Sequence, residues 1–208
     1  ILRLAIPNII SNITIPLLGM VDLALMGHME GVSYIGAIAL GGVIFNFIYW
    51  SFGFLRMGTS GFTAQAFGRN DPYESFLVLM RSVLVALLLG LAILMLQRPI
   101  EWISFHLIGG SEDVEQLARQ YFRIRVWAAP ASLSLFALSG WFLGMQNARY
   151  PMIVAITINI VNIVLSFIFV FVLNMKSEGV ALGTVIAQYT GLAIALILLR
   201  KKYRYLFV

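Results

Sequence analysis

Long apolar stretches separated by short polar turns run through the whole 208-residue chain. A helix that crosses a bilayer needs about 20 mostly apolar residues, and six stretches meet this requirement. In chain order, the predicted spans one to six cover about residues 4–26, 34–67, 75–96, 121–145, 152–173 and 180–199. Lipid accepts only helices or closed barrels, and these stretches lack the alternation of barrel strands. The pattern therefore predicts an all-α integral membrane protein, a six-transmembrane-helix bundle that fills residues 1–208 without a soluble domain.

The gap between spans three and four has a pattern of its own. Residues 100–108 alternate a few polar side chains with the apolar Trp102, Ile103, Phe105, Leu107 and Ile108, which is typical of a helix that lies in the membrane interface. Ser111 followed by Glu112 predicts the N-cap of the next helix.

The composition agrees with a membrane protein and excludes most other classes. Hydrophobic residues make up 61% of the chain and charged residues only 11%, against about 25% charged in ordinary soluble domains. This excludes a soluble enzyme and a nucleic-acid-binding protein. With no cysteine, disulfides, thiolate zinc sites and iron–sulfur clusters are excluded too. His28 and His106 are isolated, so no firm metal site and no cofactor are predicted.

Charged residues predict the orientation of the spans. Basic residues collect at one set of alternating ends and acidic residues at the other, and the positive-inside rule assigns the basic ends to the cytoplasm. The basic ends carry Arg3, Arg69, Arg81, Arg149, Arg200, Lys201, Lys202 and Arg204. Both chain ends are therefore predicted to be cytoplasmic. Arg123 and Arg125, at the predicted outer end of span four, depart from the pattern, and snorkelling to the interface would accommodate them.

Asp22 is the one acidic residue well inside a predicted span. Insertion of a carboxylate into hydrocarbon costs at least about 2.5–3.5 kcal/mol, so the side chain is expected to face protein or water. The favoured interpretation is a proton or cation site. The alternative is an interfacial carboxylate capped near Gly27 and His28.

Polar side chains of spans five and six recur at helical spacing. They are Asn159, Asn162 and Ser166 in span five, and Thr184 and Gln188 in span six. Counting 1.5 Å per residue puts Asp22, Ser166 and Thr184 at roughly 6–12 Å below the outer surface, with Asn162 one turn deeper. This predicts one shared polar pocket. The alternative is that these groups only hydrogen-bond between helices, as packing contacts commonly do.

Span one carries a polar stripe and two helix breakers. Asn8 and Asn12 are predicted to line the same polar cavity, and Pro7 and Pro16 to bend the helix. Pro16 removes the helical donor of the Asn12 carbonyl. A moving helix and a static kink both remain open.

Several motifs together resemble one transporter family. They are the stretch 55–71 (LRMGTSGFTAQAFGRND), Ala5 to Pro7 with Asp22, Pro130, the stretch 140–147 (GWFLGMQN), Pro151, the stretch 162–166 and the stretch 178–188. The chain resembles the multidrug and toxic compound extrusion (MATE) transporters over its whole length, and their DinF-like branch most closely.

The resemblance implies the N-terminal lobe of a twelve-helix transporter in the bacterial inner membrane. A C-terminal six-helix lobe of the same transporter would then be its partner, besides the bilayer and a small-molecule substrate. Such proteins export organic, often cationic compounds by alternating access, driven by H⁺ or Na⁺ entry.

The resemblance also implies a site. The branch's cation or proton site corresponds to Asp22, Asn162 and Thr184, where a weak sodium site is possible in principle. Ser166 stands where the family often has a second Asp. Because affinity for hard cations rises with ligand charge, this departure favours proton over sodium coupling.

Two other functions are considered. A lipid or lipid-linked saccharide flippase of the wider superfamily would need a wide basic cavity, and the spans carry little charge. An intramembrane enzyme would need a second catalytic group at the depth of Asp22, and the sequence offers none there. The chain is therefore predicted not to be an enzyme.

Overall fold

The computed structural model of the chain describes residues 32–108 and 110–206. Every regular element in these ranges is helical, which confirms the all-α fold class. The main helices are α1 Val32–Ser51, α2 Gly53–Gly68, α3 Pro72–Met95, α4 Gln97–Leu107, α5 Glu112–Arg125, α6 Ala129–Gly144, α7 Arg149–Phe167 and α8 Ser177–Lys202. Short 3₁₀ turns occupy Val126–Ala128 and Arg204–Leu206, and a π-helical segment occupies Ile168–Val172. Predicted span one, with Pro7 and Pro16, lies outside the described residues.

Five helical segments of the described chain are long and apolar enough to cross a membrane. They are Ser33–Gly68, Pro72–Met95, Glu112–Gly144, Arg149–Val172 and Ser177–Lys202. They fall at the positions of predicted spans two to six, and α4 falls where the interfacial helix is predicted. Large apolar side chains such as Trp50 and Met95 project from these helices, each 82% exposed. Such exposure is expected of helices that are solvated by lipid.

Span two was predicted as one unbroken helix, and this is wrong in detail. The helix is interrupted at Phe52, between α1 and α2. The N–H of Phe52 donates to the carbonyl of Tyr49, three residues back, and the carbonyl of Phe52 accepts from Leu55. Gly53 directly follows the break, and glycine weakens a helix by about 1 kcal/mol relative to alanine.

The predicted start of span four at residue 121 is also wrong. The helix begins at Glu112, with Ser111 in extended conformation at the N-cap, as the capping motif predicts. Acidic residues fill its first turn, where they stabilise the positive end of the helix dipole. The span is then interrupted at Val126–Ala128, because Pro130 has no N–H to offer the carbonyl four residues before it.

Helix α6 is the centre of the bundle and is buried on almost every side. It packs closely against α2 through two glycines four residues apart. A Cβ on Gly144 would lie 2.5 Å from the Cβ of Thr63, and a Cβ on Gly140 would overlap the backbone carbonyl of Arg56. The two helices can therefore approach this closely only because both positions lack a side chain.

We expect Gly140→Ala to destabilise the protein by about 1–3 kcal/mol, the usual cost of overpacking. The added methyl group would meet the α2 backbone, which cannot rotate away as a side chain can. Thermal unfolding of the purified protein in detergent measures the effect. Gly61→Ala is the matched control on the facing helix, because a Cβ there has nothing within 4 Å. An equal melting temperature for Gly140→Ala and wild type would contradict the prediction.

Helix α4 is fixed to the second half of α5 by ion pairs of Glu101 with Arg119 and Arg123. Glu101 is only 6% exposed and accepts hydrogen bonds from Arg123 at 3.0 and 3.1 Å and from Arg119 at 3.3 Å. Arg119 also pairs with Glu115 and lies over the ring of Phe105, 4.6 Å from its centroid. Because Arg119 and Arg123 are engaged here, their charges belong to this cluster.

Helices α7 and α8 are antiparallel neighbours in close contact. A Cβ on Gly183 would lie 2.9 Å from the Oγ of Ser166, and a Cβ on Gly191 would overlap Ile158. The two glycines let the backbones approach, so polar groups on the facing sides are brought within hydrogen-bonding range.

Candidate functional site

A buried hydrogen-bonded pair joins α7 and α8. The Nδ2 of Asn162 donates to the Oγ1 of Thr184 at 2.9 Å, and this hydroxyl donates to the carbonyl of Val180 at 2.9 Å. Asn162 is 0% exposed and Thr184 is 6% exposed. The hydroxyl of Thr184 thus donates within its own helix and accepts from Asn162 of the neighbouring helix.

Two oxygen atoms of the site have no hydrogen-bond partner among the described residues. They are the Oδ1 of Asn162 and the Oγ of Ser166, both buried. Ser166 lies one helical turn after Asn162 and faces Gly183 of α8. A buried polar atom without a partner costs about 1–3 kcal/mol. These two oxygens can therefore accept a hydrogen bond from a ligand or coordinate a bound cation.

Asn159 and Gln188 extend the same face toward the inner side. Both are half-buried, and the antiparallel register of α7 and α8 puts them at a similar level. The described structure thus brings Asn162, Ser166 and Thr184 together and leaves Asn159 and Gln188 about one turn deeper. Asp22, Asn8 and Asn12, predicted to share this layer, lie outside the described residues.

Arg125 lies further along its helix than the sequence predicted. Because span four was predicted to begin at residue 121, Arg125 was assigned to the membrane interface. With the observed start at Glu112, Arg125 lies about three and a half helical turns after the beginning of its helix. The helix start signal at Ser111, used together with the hydropathy pattern, could have located it.

The described side chains of the site are uncharged. No group of three or more His, Cys, Asp or Glu side chains occurs within the described residues. The oxygens of Asn162, Ser166 and Thr184 are neutral, and affinity for hard cations rises with ligand charge. Strong cation binding would therefore need a carboxylate beside them.

Comparisons with known proteins identify the family. A family model for MatE matches residues 7–168. DNA damage-inducible protein F of Escherichia coli is 46% identical over 199 residues, which cover 96% of this chain and 43% of that protein. Multidrug and toxin extrusion protein 1 of Danio rerio is 28% identical over 195 residues, or 91% of this chain and 32% of that protein.

Solved structures of MATE proteins have the same fold. A MATE protein in the straight conformation superimposes with a TM-score of 0.87 at 26% identity, covering 97% of this chain and 45% of that one. Such structures match over their N-terminal lobe. The chain spans less than half the length of the relatives it matches. The family model and the 46% identical relative, which align with most of the chain, show that it belongs to the MatE family.

Proposed function

We propose that the chain is one lobe of a secondary active exporter of organic, cationic or amphiphilic compounds. The exporter works by alternating access and couples efflux to the entry of a proton or a sodium ion. A second six-helix lobe completes the substrate path. Relatives named for multidrug and toxin extrusion support this proposal.

The buried pair of unpartnered oxygens carries the proposal for the lobe itself. Among the described residues, the Oδ1 of Asn162 and the Oγ of Ser166 have no donor, although buried polar groups are normally hydrogen-bonded. The O–H of a protonated carboxylic acid, or a bound cation, would satisfy them in one state of the transport cycle. We propose that Asp22 supplies the charge of this site and that Asn162, Thr184 and Ser166 surround it.

The proposed function is tested by transport in vesicles that contain the full-length protein. A fluorescent cationic dye is loaded, and its efflux is followed under an imposed proton gradient, an imposed sodium gradient, or neither. We expect a gradient of one ion to accelerate efflux above that of protein-free vesicles. Equal efflux under all three conditions would contradict an ion-coupled exporter.

The sequence alternative of a lipid flippase has no support among the similar proteins described above. The same vesicles can nevertheless distinguish it, because a flippase would move a fluorescent lipid between leaflets. We expect no lipid movement above that of protein-free vesicles.

We further propose that both ends of the chain face the cytoplasm of a bacterial inner membrane. These 208 residues contain no cysteine, so a cysteine introduced here is compared with the same protein without it. Arg69 caps α2 and Asp113 lies in the first turn of α5, and both side chains are exposed. We expect Asp113→Cys to react with an impermeant maleimide in intact cells, and Arg69→Cys to react only after the membrane is opened. Reaction of both variants from the same side would contradict the orientation.

A further inference from the structure

We propose that the basic end of the bundle is a binding surface for the headgroups of anionic phospholipids. The basic end is defined by the exposed Arg and Lys side chains at the end of α2, the start of α7 and the end of α8, which are Arg69, Arg149, Arg200, Lys201, Lys202 and Arg204. The inference goes beyond the proposed transport function, because it concerns the membrane around the protein and does not depend on the exported compound.

Contacts between helix ends bring these residues to one end of the bundle. The indole N–H of Trp141, near the end of α6, donates to the carbonyl of Ser75, near the start of α3, at 2.9 Å. The amide of Asn147, just before α7, donates to the hydroxyl of Tyr203, just after α8, at 3.2 Å. Arg69 lies in the short turn between α2 and α3. The charged ends of α2, α7 and α8 therefore share one side of the molecule.

The positive charge of the basic end is not neutralised within the lobe. The nearby carboxylates are those of Asp71 and Glu74 at the start of α3. Asp71 accepts from the N–H of Glu74 at 2.9 Å, and Glu74 pairs with Arg81 at 3.6 Å. The side chains of the basic end form no ion pair within the part of the chain that the structure describes. Their charges are therefore available to a partner that the lobe itself does not contain.

Exposed apolar side chains lead directly to the basic residues. Ile197 of α8 is 63% exposed, and Arg200 and Lys201 follow it by three and four residues, which is the spacing of one helix face. On α7, Arg149 precedes the exposed Ile153 by four residues. One helical turn spans about 5.4 Å. A lipid whose acyl chains cover Ile153 or Ile197 would therefore have its phosphate within reach of these cations.

Tyrosine side chains place the same end of the bundle at a membrane interface. Tyr73 and Tyr205 are exposed there, by 71% and 60%, and tyrosine is enriched where the bilayer meets water. The ammonium of Lys202 lies 5.5 Å from the ring centroid of Tyr150 and 5.9 Å from that of Tyr203. These contacts hold the charge at the level of the rings, where lipid phosphates lie.

The chemistry of the basic end fits a lipid phosphate better than a soluble polyanion. Clusters of Lys and Arg directly beyond a membrane-spanning helix are attracted to anionic headgroups, and Arg and Lys form charge-assisted hydrogen bonds with phosphate oxygens. A nucleic acid carries the same phosphates, but it has no acyl chains to cover the adjacent apolar face. We therefore infer that an anionic phospholipid is the partner.

The test is native mass spectrometry of the purified full-length protein in a nonionic detergent. The protein is titrated with phosphatidylglycerol, which is anionic, or with phosphatidylcholine of the same acyl chains, which has no net charge. Wild type is compared with Arg200→Gln/Lys201→Gln and with Arg200→Lys/Lys201→Arg, which keeps both charges. The difference between variant and wild type reports on this lobe, whatever the rest of the protein binds.

We expect Arg200→Gln/Lys201→Gln to bind phosphatidylglycerol at least about tenfold more weakly than wild type. Its binding of phosphatidylcholine should be unchanged, which would show that the fold and its apolar surface are intact. Arg200→Lys/Lys201→Arg should remain near wild type. Arg149→Gln, on the neighbouring helix, is an independent variant, and we expect it to weaken phosphatidylglycerol binding about fivefold.

Arg98→Gln/Lys176→Gln is the matched control. It also removes two exposed basic side chains, which lie at the opposite end of the bundle, at the start of α4 and just before α8. Phosphatidylglycerol affinity within twofold of wild type in both Arg200→Gln/Lys201→Gln and Arg149→Gln would overturn the inference. An equal loss in the control would overturn it too, because the net charge of the protein would then explain the effect.

Soluble competitors separate the lipid from other sources of phosphate. Glycerol phosphate and a single-stranded oligonucleotide are added at the concentration of the lipid, and we expect neither to displace phosphatidylglycerol. Displacement by either would overturn the inference, because the surface would then bind a soluble anion as well as it binds a lipid. The measurement needs no transport, so a failure of dye efflux would count against the proposed function alone.

Discussion

Asp22→Asn is expected to abolish efflux driven by a proton gradient, leaving only the rate of protein-free vesicles. Asparagine matches aspartate in size and cannot take up or release a proton. A coupling ion shifts a two-state equilibrium only through its different affinities for the two states, and the variant has lost that ion's binding group. Dye efflux under an imposed pH gradient, at matched protein levels, measures the effect.

Asp71→Asn is the control for this substitution. Asp71 caps α3 and accepts from the N–H of Glu74 at 2.9 Å, and asparagine caps helices about as well as aspartate does. The control should therefore transport normally. Full gradient-driven efflux by Asp22→Asn would remove Asp22 as the coupling residue. Retained dye binding by the inactive variant would show that folding is intact.

The second large effect is expected from Ser166→Asp, which should make transport strongly dependent on sodium. The Oγ of Ser166 is buried, has no hydrogen-bond partner among the described residues and lies against Gly183 of α8. A carboxylate at about 4 Å attracts a cation by about 4 kcal/mol at an effective dielectric of 20, before desolvation is subtracted. We therefore expect sodium stimulation of efflux to rise at least about tenfold.

Ser166→Asn separates charge from size in this experiment. It adds the same number of side-chain atoms as Ser166→Asp and carries no charge. Sodium titrations of dye efflux are compared between the two variants at constant ionic strength. An equal sodium response in both would show that the new charge is not what sodium recognises.

Helical periodicity was sufficient to predict the polar face of α7 and α8. Asn162 and Ser166 are four residues apart, so they must share a face in any helix. Counting inward from the turn at 174–179 then brings Thr184 to the same level in an antiparallel neighbour. The hydrogen bond between Asn162 and Thr184 is consistent with that counting. The functional role of the Asn162–Thr184 pair stays a prediction. Asp22 lies outside the described residues, so its depth stays a prediction too.

The position of Arg125 could not be predicted from hydropathy because α5 is amphipathic. Its buried face of Ala118, Tyr121 and Phe122 packs inside the bundle, while Arg119 and Arg123 pair with Glu101 of α4. The apolar stretch that hydropathy detects therefore begins several residues after the helix itself begins. The interruption at Phe52 could not be predicted for a related reason. One changed backbone hydrogen bond interrupts the helix without changing the apolar character of the sequence.

The π segment at Ile168–Val172 has a consequence for how this lobe can change in length. A π turn contains one more residue than the α-helical turn it replaces, and it closes here with the N–H of Leu173 on the carbonyl of Ile168. Deletion of one residue in this stretch would restore an ordinary helix and leave everything up to Ser166 in place. We therefore expect a one-residue deletion in this stretch to leave the polar pair in place. The same change made before Asn162 would rotate its side chain by about 100° away from Thr184.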